Sequence, residues 1–237
     1  VADLNTARRT LGGAGASNTA AVAMGGWGPT LYANTESWNG SAWTEVSDLN
    51  NARVKTQNSG TGTSTSALYA GGADGGSYTT VQAYTEQWNG SSWTEVGDLN
   101  TARFGLALTG ADNEACLAFG GYSPPGYKAI NESWNGSSWT EVADLNAARS
   151  SAGNAGPSTS ALCIGGANPP SAPRLSATEV WNGSSWTEEG DLNTARTTGG
   201  IGNTTNALAV AGNTPPYTGV VEEWSPTTPS TVTFTAS

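Results

Sequence analysis

Short apolar runs recur along the chain, and each ends in glycine. They read AAVAMGG from Ala20, ALYAGG from Ala67, CLAFGG from Cys116 and ALCIGG from Ala161. A weaker copy, ALAVAGN from Ala207, places Gly212-Asn213 where the others have Gly-Gly. Runs of this length, bounded by turn residues, predict buried strands. After each run the pattern changes to alternation toward a tryptophan, as in TESW from Thr35. Alternation puts Glu36 and Trp38 on one face of a half-buried strand.

The alternating segment opens a phrase that repeats. It reads WNGSAWTEVSDLNNAR from Trp38, WNGSSWTEVGDLNTAR from Trp88, WNGSSWTEVADLNAAR from Trp134 and WNGSSWTEEGDLNTAR from Trp181. Half of the phrase, VADLNTAR, opens the chain at Val1, and EEW at Glu222 to Trp224 is its last trace. Successive first tryptophans, ending at Trp224, are 50, 46, 47 and 43 residues apart. Units of about this length build stacked or radial repeat folds.

Each unit predicts four short strands. Strand a follows the Arg of DLNTAR, strand b is the apolar run, strand c ends at the first Trp and strand d starts at the second. Asn-Gly between c and d marks a hairpin, because both residues tolerate positive φ. A two-residue turn at Asn39-Gly40 pairs Trp38 with Ser41 and Glu36 with Trp43. A four-residue loop pairs Trp38 with Trp43 and sets Glu36 opposite Glu45. The second pairing opposes like charges and requires a cation. The repeat supplies one per unit, at Arg8, Arg53, Arg103, Arg149 and Arg196, against Glu36, Glu86, Glu132, Glu179 and Glu222. We expect these ten residues to form a structural ring of ion pairs; an anion-receiving ring of arginines is the alternative.

Strand a is rich in small residues, at Leu11 to Gly15, Ser59-Gly60, Ala152-Gly153 and Gly199-Gly200. That suits strands crowded at the axis of a narrow radial fold. The expected architecture is all-β: a five-bladed propeller with four antiparallel strands per blade, forming one domain over 1–237. The blades run approximately over 1–47, 48–97, 98–143, 144–190 and 191–237. The fifth lacks a second Trp, and the tail after Trp224, alternating at Val232 and Phe234, serves as its outer strand. Val1 lies mid-repeat, which implies a processed chain or a fragment.

An apolar run into Gly-Gly followed by paired Trp resembles the kelch-repeat propellers. The resemblance covers the whole chain. The uniformity of WNGSSWTEVxDLNTAR is similar to near-identical kelch-like arrays predicted in marine phage and in bacterial surface or virion proteins. Two departures stand out: many kelch domains have six or more blades, and their repeats are seldom so uniform. WD40 units fit less well, since Trp-Asp is missing from the strand ends. Some kelch relatives bind copper through His and Tyr, but this chain has no His, so that site does not carry over. No metal, cofactor or catalytic residue is expected. Carboxylate pairs such as Glu36 with Glu45 recur in every unit, which favours structure over glycoside hydrolysis. If the protein were a polysaccharide-active enzyme, Asp74 would be the first acid to consider.

Charge alters this picture little. The net charge is −10, but fourteen of nineteen carboxylates occupy repeat positions. Such a surface lacks the basic footprint that nucleic acid needs. No apolar run is long enough to cross a bilayer as a helix. Cys116 and Cys163 sit in strand-b runs and read as buried free thiols. Sequons occur at Asn39, Asn89, Asn131, Asn135, Asn182 and Asn203; the Asn-Gly turns explain four of them without a glycan.

The non-repeating residues concentrate in the b–c loops, which share one end of a propeller. Trp27, Tyr32, Tyr78, Tyr122, Tyr127, Arg174 and Tyr217 lie there and are the candidate ligand-binding set. Tyr and Trp combine apolar area with a polar tip, and three Pro-Pro pairs stiffen these loops. The expected function is a non-enzymatic recognition or adhesion module, on an extracellular or virion surface, binding glycan or protein. The alternative is a structural or assembly subunit that contacts other virion or filament subunits.

Overall fold

The structure is a computed structural model, and it describes residues 1–54, 60–75, 80–168, 174–227 and the backbone of 231–236. Five antiparallel four-stranded sheets form a five-bladed propeller. Blade one is β1 (Gly12–Ser17), β2 (Ala20–Met24), β3 (Thr35–Trp38) and β4 (Trp43–Val46). Blade two is β5 (Gly60–Gly62), β6 (Ala67–Asp74), β7 (Thr80–Trp88) and β8 (Trp93–Glu95). Blade three is β9 (Ala107–Gly110), β10 (Cys116–Phe119), β13 (Asn131–Trp134) and β14 (Trp139–Val142), with a small hairpin, β11 (Tyr122–Ser123) and β12 (Gly126–Tyr127), in its b–c loop. Blade four is β15 (Gly153–Ala155), β16 (Ala161–Ile164), β17 (Thr178–Trp181) and β18 (Trp186–Glu188). Blade five is β19 (Thr197–Gly202), β20 (Ala207–Asn213), β21 (Tyr217–Thr227) and β22 (Thr231–Ala236), so the tail is its outer strand. The innermost strands of all five blades line a central cavity of about 750 Å³.

The c–d hairpin takes the four-residue form. Trp38 pairs with Trp43 and Glu36 with Glu45, and the same register recurs in blades two, three and four. The Asn39 side chain fixes the loop, because Oδ1 accepts from Ser41 N, Ser41 Oγ and Ala42 N at 2.8–2.9 Å. The opposed carboxylates are handled asymmetrically. Arg8 takes Glu36 alone, while Glu45 stays exposed and accepts from Asn34 Nδ2 at 2.9 Å.

The arginine pairs its glutamate within the same blade. Arg8–Glu36, Arg53–Glu86, Arg103–Glu132, Arg149–Glu179 and Arg196–Glu222 all join with side chains at most 1% exposed. Each glutamate also holds the DLN turn. In blade two, Glu86 Oε2 accepts from Asn50 N at 2.6 Å and Asn50 Nδ2 at 2.8 Å. Arg53 in turn donates to the carbonyls of Gly71, Asn51 and Tyr69 at 2.9–3.1 Å. One guanidinium thus ties strand b, strand c and the incoming turn together. These buried charges are tolerable because they are paired and hydrogen-bonded.

Burial alone raises the carboxyl pKa of Glu36. The Arg8 hydrogen bond and the amides of Asn5 and Thr6 reverse this and leave it below the ordinary value of 4.5. A group with a lowered folded pKa stabilises the fold above its unfolded value and loses that contribution as pH falls through the folded one. Melting temperature should therefore fall as pH drops below about 4.5, with a shallower slope in Glu36→Gln. An unchanged slope in that variant would contradict this role.

Neighbouring blades meet through a second repeated device. The second glycine of Gly-Gly donates its N–H to the arginine carbonyl of the next blade. The pairs are Gly26 to Arg53 (3.1 Å), Gly72 to Arg103 (3.0 Å), Gly121 to Arg149 (2.7 Å) and Gly166 to Arg196 (2.8 Å). Four apolar clusters back these seams, each combining adjacent blades. Strand-d tryptophans face the preceding blade: Trp93 Nε1 donates to Thr35 Oγ1 and Trp139 Nε1 to Thr85 Oγ1, both at 2.9 Å. Asn131 replaces that threonine in blade three. Trp186 Nε1 and Asn131 Oδ1 are both buried without a hydrogen-bond partner among the described residues.

The seam between blades five and one is different. Ala211-Gly212, not Gly212-Asn213, takes the Gly-Gly position, because Arg196 Nε donates to the Ala211 carbonyl as Arg53 Nε does to Gly71. Among the described residues no hydrogen bond joins Gly212 to Arg8, and no apolar cluster spans the seam. Leu208 is 36% exposed and Ile201 60%, whereas their blade-four equivalents, Leu162 and Ala155, are 0% and 4% exposed. Trp43 and Leu4 across the seam are half-buried, unlike the corresponding residues elsewhere.

Candidate functional site

Strands b end and strands c begin on the face where the DLNxAR turns also lie, so the variable loops surround one mouth of the central channel. A cavity of about 580 Å³ opens there, lined by Thr10, Leu11, Phe104, Tyr127, Ser150, Ser151, Ala167, Arg174, Thr197, Asn213 and Tyr217. This volume is in the range of small-molecule sites, about 300–1,000 Å³.

Three expected residues converge in this cavity: Tyr127, Arg174 and Tyr217. Tyr127 is held from behind. Its ring meets Tyr122 edge-on at 5.1 Å between centroids, and Tyr122 meets Phe104 at 5.5 Å. The β11–β12 hairpin pairs Tyr122 with Tyr127, and Phe104 forms an isolated bridge with Tyr122. Tyr122 is therefore support for the wall. Arg174 is anchored by Asn213: its Nε donates to the Asn213 carbonyl at 3.0 Å and to Oδ1 at 3.2 Å, and Nη2 also donates to Oδ1. Tyr217 is 83% exposed and overhangs the opening.

Other expectations fall elsewhere. Trp27 is half-buried, exchanges backbone hydrogen bonds with Arg9 at 2.8 and 2.9 Å, and is not part of the cavity wall. The Tyr32 ring packs over Gly28, where a Cβ would lie 2.6 Å from it. Tyr78 lies outside the described residues. Asn39, Asn89, Asn135, Asn182 and Asn203 are exposed, but Asn131 is 0% exposed and its Nδ2 donates to Ala143 O. In the folded chain that sequon is inaccessible, a correction to its inclusion with the others. Cys116 and Cys163 are buried and free. Burial pushes both thiols up, Cys163 to about 12.

Sequence reasoning missed Phe104, Asn213, Thr10 and Ser151. Thr10 and Ser151 are non-glycine residues with φ of 53° and 54°. Such backbone is costly and concentrates at functional sites. The available signal was the residue after each DLNxAR arginine, which varies among Arg9, Val54, Phe104, Ser150 and Thr197 while the phrase before it does not.

Burial raises the Tyr127 hydroxyl, and Tyr122 adds to this while Arg174 opposes it. The hydroxyl is thus a neutral donor at neutral pH. No carboxylate lines this cavity or the central one among the described residues. No group of three or more metal-ligating side chains occurs among them either. The wall can hydrogen-bond, stack against an apolar ring face and offer one positive charge.

No protein-family model matches the chain, and no curated protein matches it. Among solved structures it is similar to the structure of YjhT, at a TM-score of 0.76 and 12% identity, covering 96% of this chain and 84% of that one. At that identity the likeness concerns the fold alone.

Proposed function

We propose that the protein is a non-enzymatic recognition module that binds a saccharide at the channel mouth on the b–c face. The observation that carries this reading is the convergence of Tyr127, Tyr217, Arg174 and Asn213 on one cavity. Tyrosine rings supply flat apolar area with a polar tip, which suits the C–H face and hydroxyls of a pyranose. Neither cavity offers a carboxylate to act as acid or base, and Asp74 lines neither, so binding without turnover is the simpler function. The repeat is read as kelch-like, similar to the uniform arrays predicted in marine phage and in bacterial surface or virion proteins. The same reading places the protein on an extracellular or virion surface.

A glycan array with the whole chain tests the proposal. The wild type should bind a defined set of glycans, and Tyr127→Ala should lose them by roughly tenfold or more, on the scale of a buried aromatic anchor. Tyr127→Ala binding as well as wild type would move the site elsewhere; no glycan bound at all would overturn the reading.

The exposed Ile201 and Leu208 favour a second reading, that of an assembly subunit that packs through its fifth blade. Light scattering across a concentration series separates the two: a stable oligomer abolished by Leu208→Glu supports assembly.

A further inference from the structure

The cations of this chain are sharply partitioned. Of nine Lys and Arg residues, five are consumed in the buried pairs with glutamate. Among the described residues three remain: Arg9, Lys128 and Arg174. All three lie on the b–c face. Arg9 is bonded through its backbone to Trp27, and Lys128 follows Tyr127 and donates its N–H to Gly121 O at 2.9 Å. Arg174 is in the cavity wall itself.

Arg174 does not resemble a solvated surface arginine. It is half-buried, and Asn213 holds its Nε and Nη2 in place. Asn213 is neutral, so this anchor orients the guanidinium without neutralising it. Nη1 makes no hydrogen bond among the described residues, and the cavity holds no carboxylate. A fixed, uncompensated positive charge therefore faces an opening in a protein of net charge −10. In the five arginines of the repeat phrase the charge is spent on the fold. Here it is left for a ligand.

We infer that the cavity takes an acidic saccharide, with the oxyanion of the sugar received by Arg174 and the ring resting against Tyr127 and Tyr217. This rests on the saccharide-binding reading above and names its ligand class. Charged hydrogen bonds are the stronger kind, so Arg174 carries more of the affinity than either tyrosine hydroxyl. Lys128 and Arg9 add long-range attraction that salt screens. Carboxylate and sulfate share the required chemistry.

Calorimetric titration of the whole chain with three probes tests this: an oligogalacturonate, a sulfated galactan oligosaccharide and a neutral cello-oligosaccharide. At least one acidic probe should bind more tightly than the neutral one, and that affinity should fall between about 0.05 and about 0.5 M NaCl. The acidic probe that binds identifies the oxyanion. Arg174→Gln should weaken acidic binding by roughly tenfold or more, as expected for a lost charged hydrogen bond, and by clearly more than it weakens neutral binding. Tyr217 is exposed, so a second pair of variants avoids any effect on folding: Tyr217→Glu should repel the acidic probe more than Tyr217→Gln does. Neutral binding as tight as acidic, or acidic binding indifferent to Arg174→Gln and to the Tyr217 charge, overturns the acidic ligand while the saccharide site stands. Binding of none of the three, together with a blank array, overturns both.

Discussion

Arg103→Ala should destabilise the protein by about 3–5 kcal/mol, the usual cost of removing one partner of a buried ion pair. For a chain of this size that lowers the melting temperature on the order of 10 °C. The loss is not confined to the pair. Burial pulls the Arg103 guanidinium down, and Glu132 beside it opposes this. Glu132 is the partner that makes this buried charge tolerable. Without Arg103, the negative charge of Glu132, a residue 0% exposed in the wild-type fold, loses its cation. The Ala118 carbonyl on strand b loses its donor as well, and so does Thr101 O in the turn. Arg103→Met with Glu132→Leu should recover only part of the stability, because Asn100 N and Nδ2 then lack the acceptor they share at 2.8 Å. Chemical denaturation of the three variants measures this. A melting temperature within a degree or two of wild type for Arg103→Ala would sink the structural role, with about 2 °C being the shift a loss of only one kcal/mol produces.

Gly71→Ala should cost about 2–5 kcal/mol, combining unfavourable left-handed backbone with overpacking. Gly71 has φ +70°, and a Cβ there would sit 2.6 Å from both Arg103 O and Leu106 Cδ2. Backbone cannot yield as a side-chain tip does, so blades two and three must separate. That strains the neighbouring Gly72 to Arg103 bond. The protein carries its own control. Ala211 occupies the equivalent position in blade five at φ 51°, where no fastened carbonyl opposes it. Ala211→Gly should therefore change stability little, by about half a kcal/mol or less once the added unfolded-state freedom offsets the relieved strain. Equal effects at the two positions would show that conformation alone, not the inter-blade contact, governs this site.

The ion pairs were legible because each Arg and each Glu recurs once per unit, at matching places. The hairpin register was not, since Asn-Gly permits two loop lengths. The structure decides it through Asn39 Oδ1, which accepts from Ser41 and Ala42 and so needs the longer loop. The inter-blade seams were hardly legible at all. Trp43 and Trp93 stand in nearly identical phrases, yet Trp93 is buried and Trp43 half-buried. Burial of these residues depends on the preceding blade, which a local pattern does not encode. At the candidate site the loop aromatics and Arg174 were visible as departures from the repeat. Their convergence was not, because Arg174 and Tyr217 come together with Tyr127 only through the circular arrangement of blades.

That arrangement has a thermodynamic consequence at blade five. A ring held alike at every joint has no ends, so no unit is the first to go. Here, among the described residues, four joints are fastened and one lacks its hydrogen bond. Energetically the protein is then a linear array bent into a circle, in which each unit leans on its neighbours and the terminal ones lean on only one side. Fluctuations that expose backbone should start at blades one and five and die away toward blade three. The cavity wall spans both regimes: Tyr127 and Phe104 belong to the quiet centre of the array, whereas Asn213 and Tyr217 ride on its loose end. A ligand bridging them would tie the loose end to the centre, while the joint between blades five and one would stay open.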